Sequence, residues 1–150
     1  MKVNGWLLYI HPIFSDLLDS LIQEVKTLQE NKPSEYLSHP KTLLLRAVYK
    51  CIKVIIPSDP KNSCFLLGAT LGKKYKGIRR AKEFMLKRYR LFFRFDSRDN
   101  EIFYLWFNDE STYRKKGAVT DVYAVFRKML ENKTVPTELQ DLRESSKELI

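Results

Sequence analysis

The sequence has few of the residue types that most hydrolytic enzymes use for catalysis or metal binding. Its 150 residues include two histidines, two cysteines and five glycines. His11 and His39 each precede a proline, neither stands at a metal-ligand spacing, and both are expected to have structural roles in capping or packing. Cys51 and Cys64 form no CxxC-type cluster. The acidic residues form no compact cluster along the chain, so we expect no metal site and no cofactor.

The sequence also lacks long hydrophobic runs. No apolar stretch approaches the ~18 residues that a membrane-spanning helix needs. The first residues, MKVNGWLLYIHPIF, lack a long apolar segment followed by a small-residue cleavage site, so they are expected to be part of the fold. Two unclustered cysteines suit a reducing compartment. These features predict a cytoplasmic protein without membrane association.

Glycines are grouped in one segment, GATLGKKYKG at residues 68–77, which invites comparison with a phosphate-binding loop. The glycine spacing is one residue too short for that motif. Lys74 stands where a Ser or Thr would bind magnesium. The segment is therefore interpreted as a flexible basic loop.

Positive charge is abundant, and it is local. The net charge is +9, and residues 73–98 contain eleven of the 27 Lys and Arg residues but only two of the 18 acidic ones. The rest of the chain has sixteen residues of each sign and is balanced. A local basic patch points to a polyanion such as RNA, DNA, an acidic protein or a membrane surface, although a merely solvated basic surface is also compatible with it.

The order of apolar patterns predicts an α+β fold, with a two-helix hairpin and a C-terminal helix packed on a small, mainly antiparallel sheet. Residues 14–28 and 44–55 have helical periodicity, and Pro40 is expected in the first turn of the second helix. The last helix is predicted to begin at Thr120 as its N-cap. Residues 96–100 form the predicted hairpin turn. Strands are predicted at residues 2–10, 79–84, 89–95 and 102–107.

The candidate chemistry depends on Lys, Arg and Tyr. In RNA, the ribose 2′-hydroxyl can attack the adjacent phosphate, so an enzyme needs only to orient the backbone, stabilise charge and move protons. Arg80 and Lys82 would share one face of a strand, and Arg88 and Arg90 would repeat that arrangement on the next strand. Four cations on one face repel each other, which favours a bound anion over a structural role in which the long stems only cover apolar surface.

The segments VNGWLLYIHPIF, LGKKYKG, RRAK followed by RYRLFFRF, FNDEST and TDVYAVFRKML resemble the YhaV family of bacterial type II toxins, within the RelE-like group of small ribonucleases. The resemblance extends from Val3 to about Leu130. It implies a RelE-like toxin domain over residues 1–135, followed by a polar C-terminal tail over residues 136–150. It also implies an mRNA interferase that cuts messenger RNA, on translating ribosomes.

The resemblance assigns candidate roles to individual residues. Arg80, Arg90 and Arg114 are expected to hold the phosphate, and Lys82 and Tyr123 are the candidates for proton transfer. The remaining basic residues of the patch are expected to bind the RNA backbone: Lys73, Lys74, Lys76, Arg79, Arg88 and Arg94.

The family also implies a partner. It is an antitoxin of the PrlF type with a swapped-hairpin DNA-binding domain, and the toxin–antitoxin complex is expected to bind its operator DNA.

The sequence leaves two alternatives open. One is a non-catalytic module that binds RNA or the ribosome through the same patch. The other, weaker alternative is a DNA-binding protein, although no helix carries a basic stripe suited to a major groove.

Overall fold

The computed structural model describes residues 1–150 as an α+β fold, in which one mixed six-stranded sheet separates two groups of helices. The α+β class predicted from the sequence is confirmed. The strands are β1 Lys2–Val3, β2 Trp6–Ile10, β3 Arg79–Ala81, β4 Leu91–Asp96, β5 Glu101–Phe107 and β6 Lys147–Glu148. The helices are α1 Pro12–Asn31, α2 Pro40–Lys50, α3 Val122–Glu131 and α4 Leu139–Ser145.

The sheet has the order β1-β2-β5-β4-β3, and β6 pairs with β2. Only β2 and β5 are parallel, and the other four pairings are antiparallel. The strand β5 lies between β2 and β4, and all seven of its residues are buried. The turn predicted at residues 96–100 is confirmed, because it joins β4 to β5 directly.

Both histidines cap helices, as the sequence predicts. His11 Nδ1 accepts a hydrogen bond from the Ile13 amide at 3.3 Å, and His39 Nδ1 accepts one from the Lys41 amide at 3.1 Å. The proline that follows each histidine occupies the first helical turn, where a missing N–H costs nothing. After Lys50, α2 continues as a π-helical segment, Cys51–Ile55, and a last α-helical turn, Ile56–Ser58.

Alternating residues of β4 and β5 supply two separate cores. Leu91 and Phe93 pack with α1 and α2, whereas Phe92 and Phe103 pack with α3 and α4. A bulge interrupts the β4–β5 register, with Phe92 opposite Trp106 and Phe93 opposite Tyr104. The aromatic runs are therefore explained by burial on both faces of the sheet.

Several predicted boundaries are wrong. The strand predicted at 2–10 is divided into β1 and β2 by a turn, and the one predicted at 89–95 begins only at Leu91. The strand predicted at 79–84 ends at Ala81, because residues 82–90 form local turns that bury Met85 and Tyr89 without pairing to a neighbouring strand. Within that segment Arg88 has a φ of +70°, which a regular strand does not allow. The N-cap of α3 is Asp121 and not Thr120, since the Asp121 carboxylate accepts the Tyr123 amide hydrogen.

The last fifteen residues are polar in composition, and they pack against the rest of the chain. Leu142 of α4 is fully buried in the core on the α3 side of the sheet. Arg143 bonds the carboxylates of Asp96 and Glu101, with 2.8 Å between its Nε and Glu101 Oε1, and lies 3.5 Å from Asp99. The three carboxylates lie close together in the sequence, but their pairing with Arg143, 42 residues or more away, is visible only in the fold.

None of the helices combines the length and the apolar character that crossing a membrane would require.

The buried carboxylate of Asp96 generates a pH prediction. Burial would raise the pKa of Asp96, but the Arg98 amide and the charges of Arg98 and Arg143 outweigh burial and lower that pKa. A lowered folded-state pKa means that the stabilisation is complete above the ordinary carboxyl pKa of about 4 and is lost as the pH falls below it. We expect Asp96→Asn to lower the free energy of unfolding by about 1–3 kcal/mol at pH 6, and the deficit to shrink toward pH 3.

Urea unfolding at several pH values measures this deficit. Asp99→Asn is the matched control, because its carboxylate also faces Arg143 but is 65% exposed, so it should have little effect at any pH. A deficit for Asp96→Asn that does not change with pH would contradict the prediction.

Candidate active site

The phenol of Tyr123 is the centre of the candidate site. Tyr123 lies in the first turn of α3, and the residue is only 4% exposed. Its hydroxyl oxygen accepts a hydrogen bond from Arg80 Nη1 at 2.7 Å and another from Arg90 Nε at 3.0 Å. Two guanidinium groups therefore converge on one oxygen, and the hydroxyl hydrogen stays available for donation to a ligand.

Arg80 reaches Tyr123 from the middle of β3. Its Nη1 also donates to the Leu67 carbonyl at 3.4 Å, which fixes the guanidinium between the 66–78 loop and α3. The Nε atom of Arg80 is buried and has no hydrogen-bond partner within the protein. An unpaired buried donor costs about 1–3 kcal/mol, which the hydrogen bonds of Arg80 Nη1 help to offset.

Arg90 stands immediately before β4 and is 7% exposed. The fully buried Asn108, just after β5, holds this segment in place: its Oδ1 accepts the Arg90 amide at 2.8 Å, and its Nδ2 donates to the Arg88 carbonyl at 3.1 Å. Arg90 Nη1 donates to the Tyr89 carbonyl at 2.9 Å. Backbone and side chain of Arg90 are thus both constrained by hydrogen bonds.

Arg114 completes the cluster from the loop before α3. Its guanidinium carbon is 4.8 Å from the centroid of the Tyr123 ring, and its Nη1 donates to Asp121 Oδ1 at 2.9 Å. Burial would raise the pKa of Asp121, but hydrogen bonds from Arg114 and from the Lys115 and Tyr123 amides outweigh burial and lower that pKa. Asp121 therefore caps α3 and orients Arg114 as an ionised carboxylate.

The charges of this cluster are not balanced. Three guanidinium carbons lie 4.8–5.9 Å from the Tyr123 ring centroid. The only ion pair in the cluster is that of Arg114 with Asp121, and neither Arg80 nor Arg90 pairs with a carboxylate. Such a site is electrostatically complementary to a phosphate, which arginine can bind through two parallel hydrogen bonds.

The predicted face of four cations on two neighbouring strands is wrong. Lys82 and Arg88 lie in the turns between β3 and β4, where both side chains are exposed and make no hydrogen bond or ion pair. Arg80 and Arg90 do come together: β3 pairs with β4, with Arg80 opposite Phe92, and both guanidinium groups also bond the Tyr123 hydroxyl. The structure thus brings Arg80, Arg90, Arg114 and Tyr123 together and leaves Lys82 outside their hydrogen-bond network.

The residues expected to bind the RNA backbone occupy different surroundings. Lys73, Lys76 and Arg79 line a cavity of about 350 Å³ beside Leu67, the residue whose carbonyl accepts from Arg80. Lys74 is exposed nearby. Arg94 is half-buried and donates to the Thr137 carbonyl, so its guanidinium is engaged by the C-terminal segment.

Sequence reasoning missed two residues that build the site, Asn108 and Asp121. A signal for Asp121 was present, since Asp is a favoured N-cap and here directly precedes the first helical residue. The role of Asn108 depends on contacts 18 and 20 residues away, which no local pattern reveals.

Comparison with known proteins identifies the family of the chain. Residues 8–147 match the family model Toxin_YhaV, described as a toxin with endonuclease activity, of toxin-antitoxin system. The "Ribonuclease toxin YhaV" of Escherichia coli strain K12 is 40% identical over 148 residues, which cover 98% of this chain and 96% of that protein. The "Toxin YhaV" of Escherichia coli O157:H7 has the same identity and coverage. No solved structure matches the chain significantly.

Because the family has endonuclease activity, the alternative of a non-catalytic binding module is rejected. A toxin–antitoxin system also includes an antitoxin, which is the expected protein partner. The family match covers all four helices, the strands β3 to β5 and the whole cluster around Tyr123, so the chain belongs to the YhaV family of endonuclease toxins from toxin–antitoxin systems.

Proposed function

We propose that this toxin is a metal-independent endoribonuclease that cleaves messenger RNA at the Tyr123 cluster. The observation that carries the proposal is the donor set: three arginines converge on one phenol, and the only carboxylate among them is bonded to Arg114. Such a set suits a phosphate and does not suit Mg²⁺, which prefers several oxygen ligands. RNA as the substrate agrees with the name of the relative, a ribonuclease toxin.

The proposed reaction uses the RNA's own nucleophile. The 2′-oxygen forms a bond to the adjacent phosphorus and loses its proton to a base, while the bond from phosphorus to the 5′-oxygen of the next nucleotide breaks. That 5′-oxygen gains a proton, which leaves a 2′,3′-cyclic phosphate and a 5′-hydroxyl end. The protein contributes alignment of the attacking and leaving oxygens and stabilisation of the extra charge on the phosphate.

Arg80, Arg90 and Arg114 are the proposed phosphate-binding residues, and Tyr123 is a proposed proton-transfer residue. If Tyr123 donates its proton to the leaving oxygen, its own oxygen already accepts two charged hydrogen bonds that stabilise the resulting phenolate. Lys82 is the second proton-transfer candidate. Its exposed side chain follows β3 directly, one residue after Ala81.

The basic surface around this cluster is proposed to bind the RNA backbone through Lys73, Lys74, Lys76, Arg79, Arg88 and Arg94. Phosphate contacts of this kind carry no base specificity. We therefore propose that the ribosome presents an extended single strand to the site and that the toxin acts in the cytoplasm. We also propose that the fold is RelE-like, with residues 1–135 as the toxin domain and residues 136–150 as its tail. The proposed antitoxin is of the PrlF type. Its swapped-hairpin domain would bind operator DNA as part of the toxin–antitoxin complex.

Analysis of the RNA ends tests the mechanism. Purified toxin incubated with naked single-stranded RNA should yield 2′,3′-cyclic phosphate and 5′-hydroxyl ends, and the rate should be unchanged by EDTA because no metal takes part. Mass spectrometry of the fragments identifies the ends. Fragments with 5′-phosphate ends and a strict requirement for magnesium would refute the proposal.

Removal of one hydroxyl tests the role of Tyr123. Tyr123→Phe keeps the ring but removes the acceptor of both arginines, so we expect cleavage to fall by about 10²–10⁴-fold, the usual contribution of a positioned proton donor. Growth arrest in cells should be lost as well. The two measurements are the rate of single-turnover cleavage and thermal unfolding, which should remain cooperative in the variant.

Tyr89→Phe is the matched control. This phenol is also buried, but its hydroxyl lies 3.3 Å from that of Tyr113 and contacts no arginine of the cluster. We expect it to cleave at close to the wild-type rate. Equal losses in the two variants, or full activity of a folded Tyr123→Phe, would remove Tyr123 from the reaction.

Ribosome dependence is tested separately. Because backbone contacts alone do not order a flexible strand, translated message should be cleaved faster than the same message free in solution, and cleavage of the free message should weaken with salt. A side-by-side assay with and without translation initiation measures the two rates. Equal rates would reject the ribosomal part of the proposal and leave the ribonuclease intact.

A further inference from the structure

A fourth arginine, Arg127, lines the same cleft as Tyr123 and has no role in the site described so far. Arg127 lies four residues after Tyr123 in α3, so the two side chains project from the same face of the helix. Both residues line one cleft of about 370 Å³, together with Thr70, Arg114 and Asp121. The cleft therefore joins Tyr123 and Arg114, two members of the cluster, to Arg127.

The positive charge of Arg127 is not balanced by a neighbouring carboxylate. Its Nη2 donates to the Thr70 carbonyl at 3.2 Å, and no acidic side chain forms an ion pair with it. The Thr70 contact orients the guanidinium along the cleft wall while leaving its other N–H groups unbonded. Arg114, on the same cleft, differs because Asp121 balances its charge.

A single-stranded RNA that places one phosphate at the Tyr123 cluster must continue past it on both sides. Successive phosphates cannot fold back on themselves without repulsion, so the chain needs a cationic surface to follow. The cleft supplies such a surface in one direction, since it holds one unpaired guanidinium and no unpaired carboxylate.

We propose that Arg127 is a positioning residue that binds a backbone phosphate of the RNA next to the phosphate that is cleaved. The proposal rests on the ribonuclease function given above, and it goes beyond that function by naming the path of the substrate and the residue that holds it. Arg127 does not touch the reacting atoms in this account. Its contact is made in the bound state as well as in the transition state, so it acts on binding more than on the chemical step.

Binding and cleavage by variants of the full chain test the proposal. The binding probe is a fluorescent single-stranded RNA with 2′-O-methyl groups throughout, which cannot supply the attacking hydroxyl. We expect Arg127→Ala to bind it about tenfold more weakly and to raise KM for an unmodified RNA by a similar factor, with kcat changed less than about twofold. The slope of log affinity against log salt should become less negative by about 0.7, the value for one phosphate contact on a single strand.

Three variants separate charge from structure. Arg127→Lys keeps the charge and should restore most of the affinity, whereas Arg127→Gln keeps a donor for the Thr70 carbonyl without the charge and should bind as weakly as Arg127→Ala. Lys128→Ala removes an equally exposed cation that does not line the cleft, and should bind like the wild type.

Wild-type affinity and an unchanged salt slope in Arg127→Ala, or in Arg127→Gln, would overturn the proposal, because Arg127 would then only anchor the Thr70 loop. Failure of the ribonuclease function has a different signature, namely that the wild type produces no fragments from unmodified RNA. A wild type that does not bind the 2′-O-methyl RNA at all would overturn this proposal whatever its cleavage activity.

Discussion

The hydroxyl oxygen of Tyr123 joins helix α3 to the edge of the sheet where β3 pairs with β4. Arg80 reaches it from β3, Arg90 from the turn before β4, and Tyr123 itself from the first turn of α3. Hydrogen bonds to a charged group contribute about 1.5–3 kcal/mol each, which adds to strand pairing and core burial in holding the three-residue β3 and the irregular segment 82–90 in place. The two hydrogen bonds to the Tyr123 hydroxyl help to stabilise the β3 edge of the sheet, and they also position the arginines of the candidate phosphate site. Stability and the proposed activity therefore depend on the same interaction.

The distribution of charge follows from this arrangement. Arg90 precedes β4 and Asp96 ends it, and a six-residue strand separates its ends by about 20 Å. At the Asp96 end, three carboxylates face Arg98 and Arg143 and most of the charge is balanced, whereas at the Arg90 end two guanidinium groups have no carboxylate. The balanced end contributes stability. The unbalanced end contributes an attraction for polyanions, and by mass action any anion that binds there, RNA or an acidic segment of an antitoxin, will stabilise the folded toxin.

Local patterns predicted much of the fold, and contacts between distant residues explain what they missed. Periodicity located α1 and α2, and the His-Pro pairs marked their first turns, because capping involves neighbouring residues. The 79–84 strand was predicted too long, since alternation alone does not show that Met85 and Tyr89 reach the core through turns. For the site, the strand pattern indicates Arg80 and Arg90, and the family resemblance adds Arg114 and Tyr123. The convergence of Arg80 and Arg90 on the Tyr123 oxygen spans up to 43 residues and is a tertiary property. Arg127 could have been found from its spacing to Tyr123, whereas Asn108 could not.

The central claim is that Arg80 and Tyr123 act as one unit, and a double-mutant cycle measures this most directly. Single-turnover rates of RNA cleavage are needed for the wild type, Arg80→Ala, Tyr123→Phe and the double variant, each shown to unfold cooperatively. If the two side chains act through their shared hydrogen bond, the loss in the double variant will be much smaller than the product of the two single losses, with a coupling energy above about 1 kcal/mol. Losses that simply multiply would mean that the two residues contribute independently, and would contradict the account.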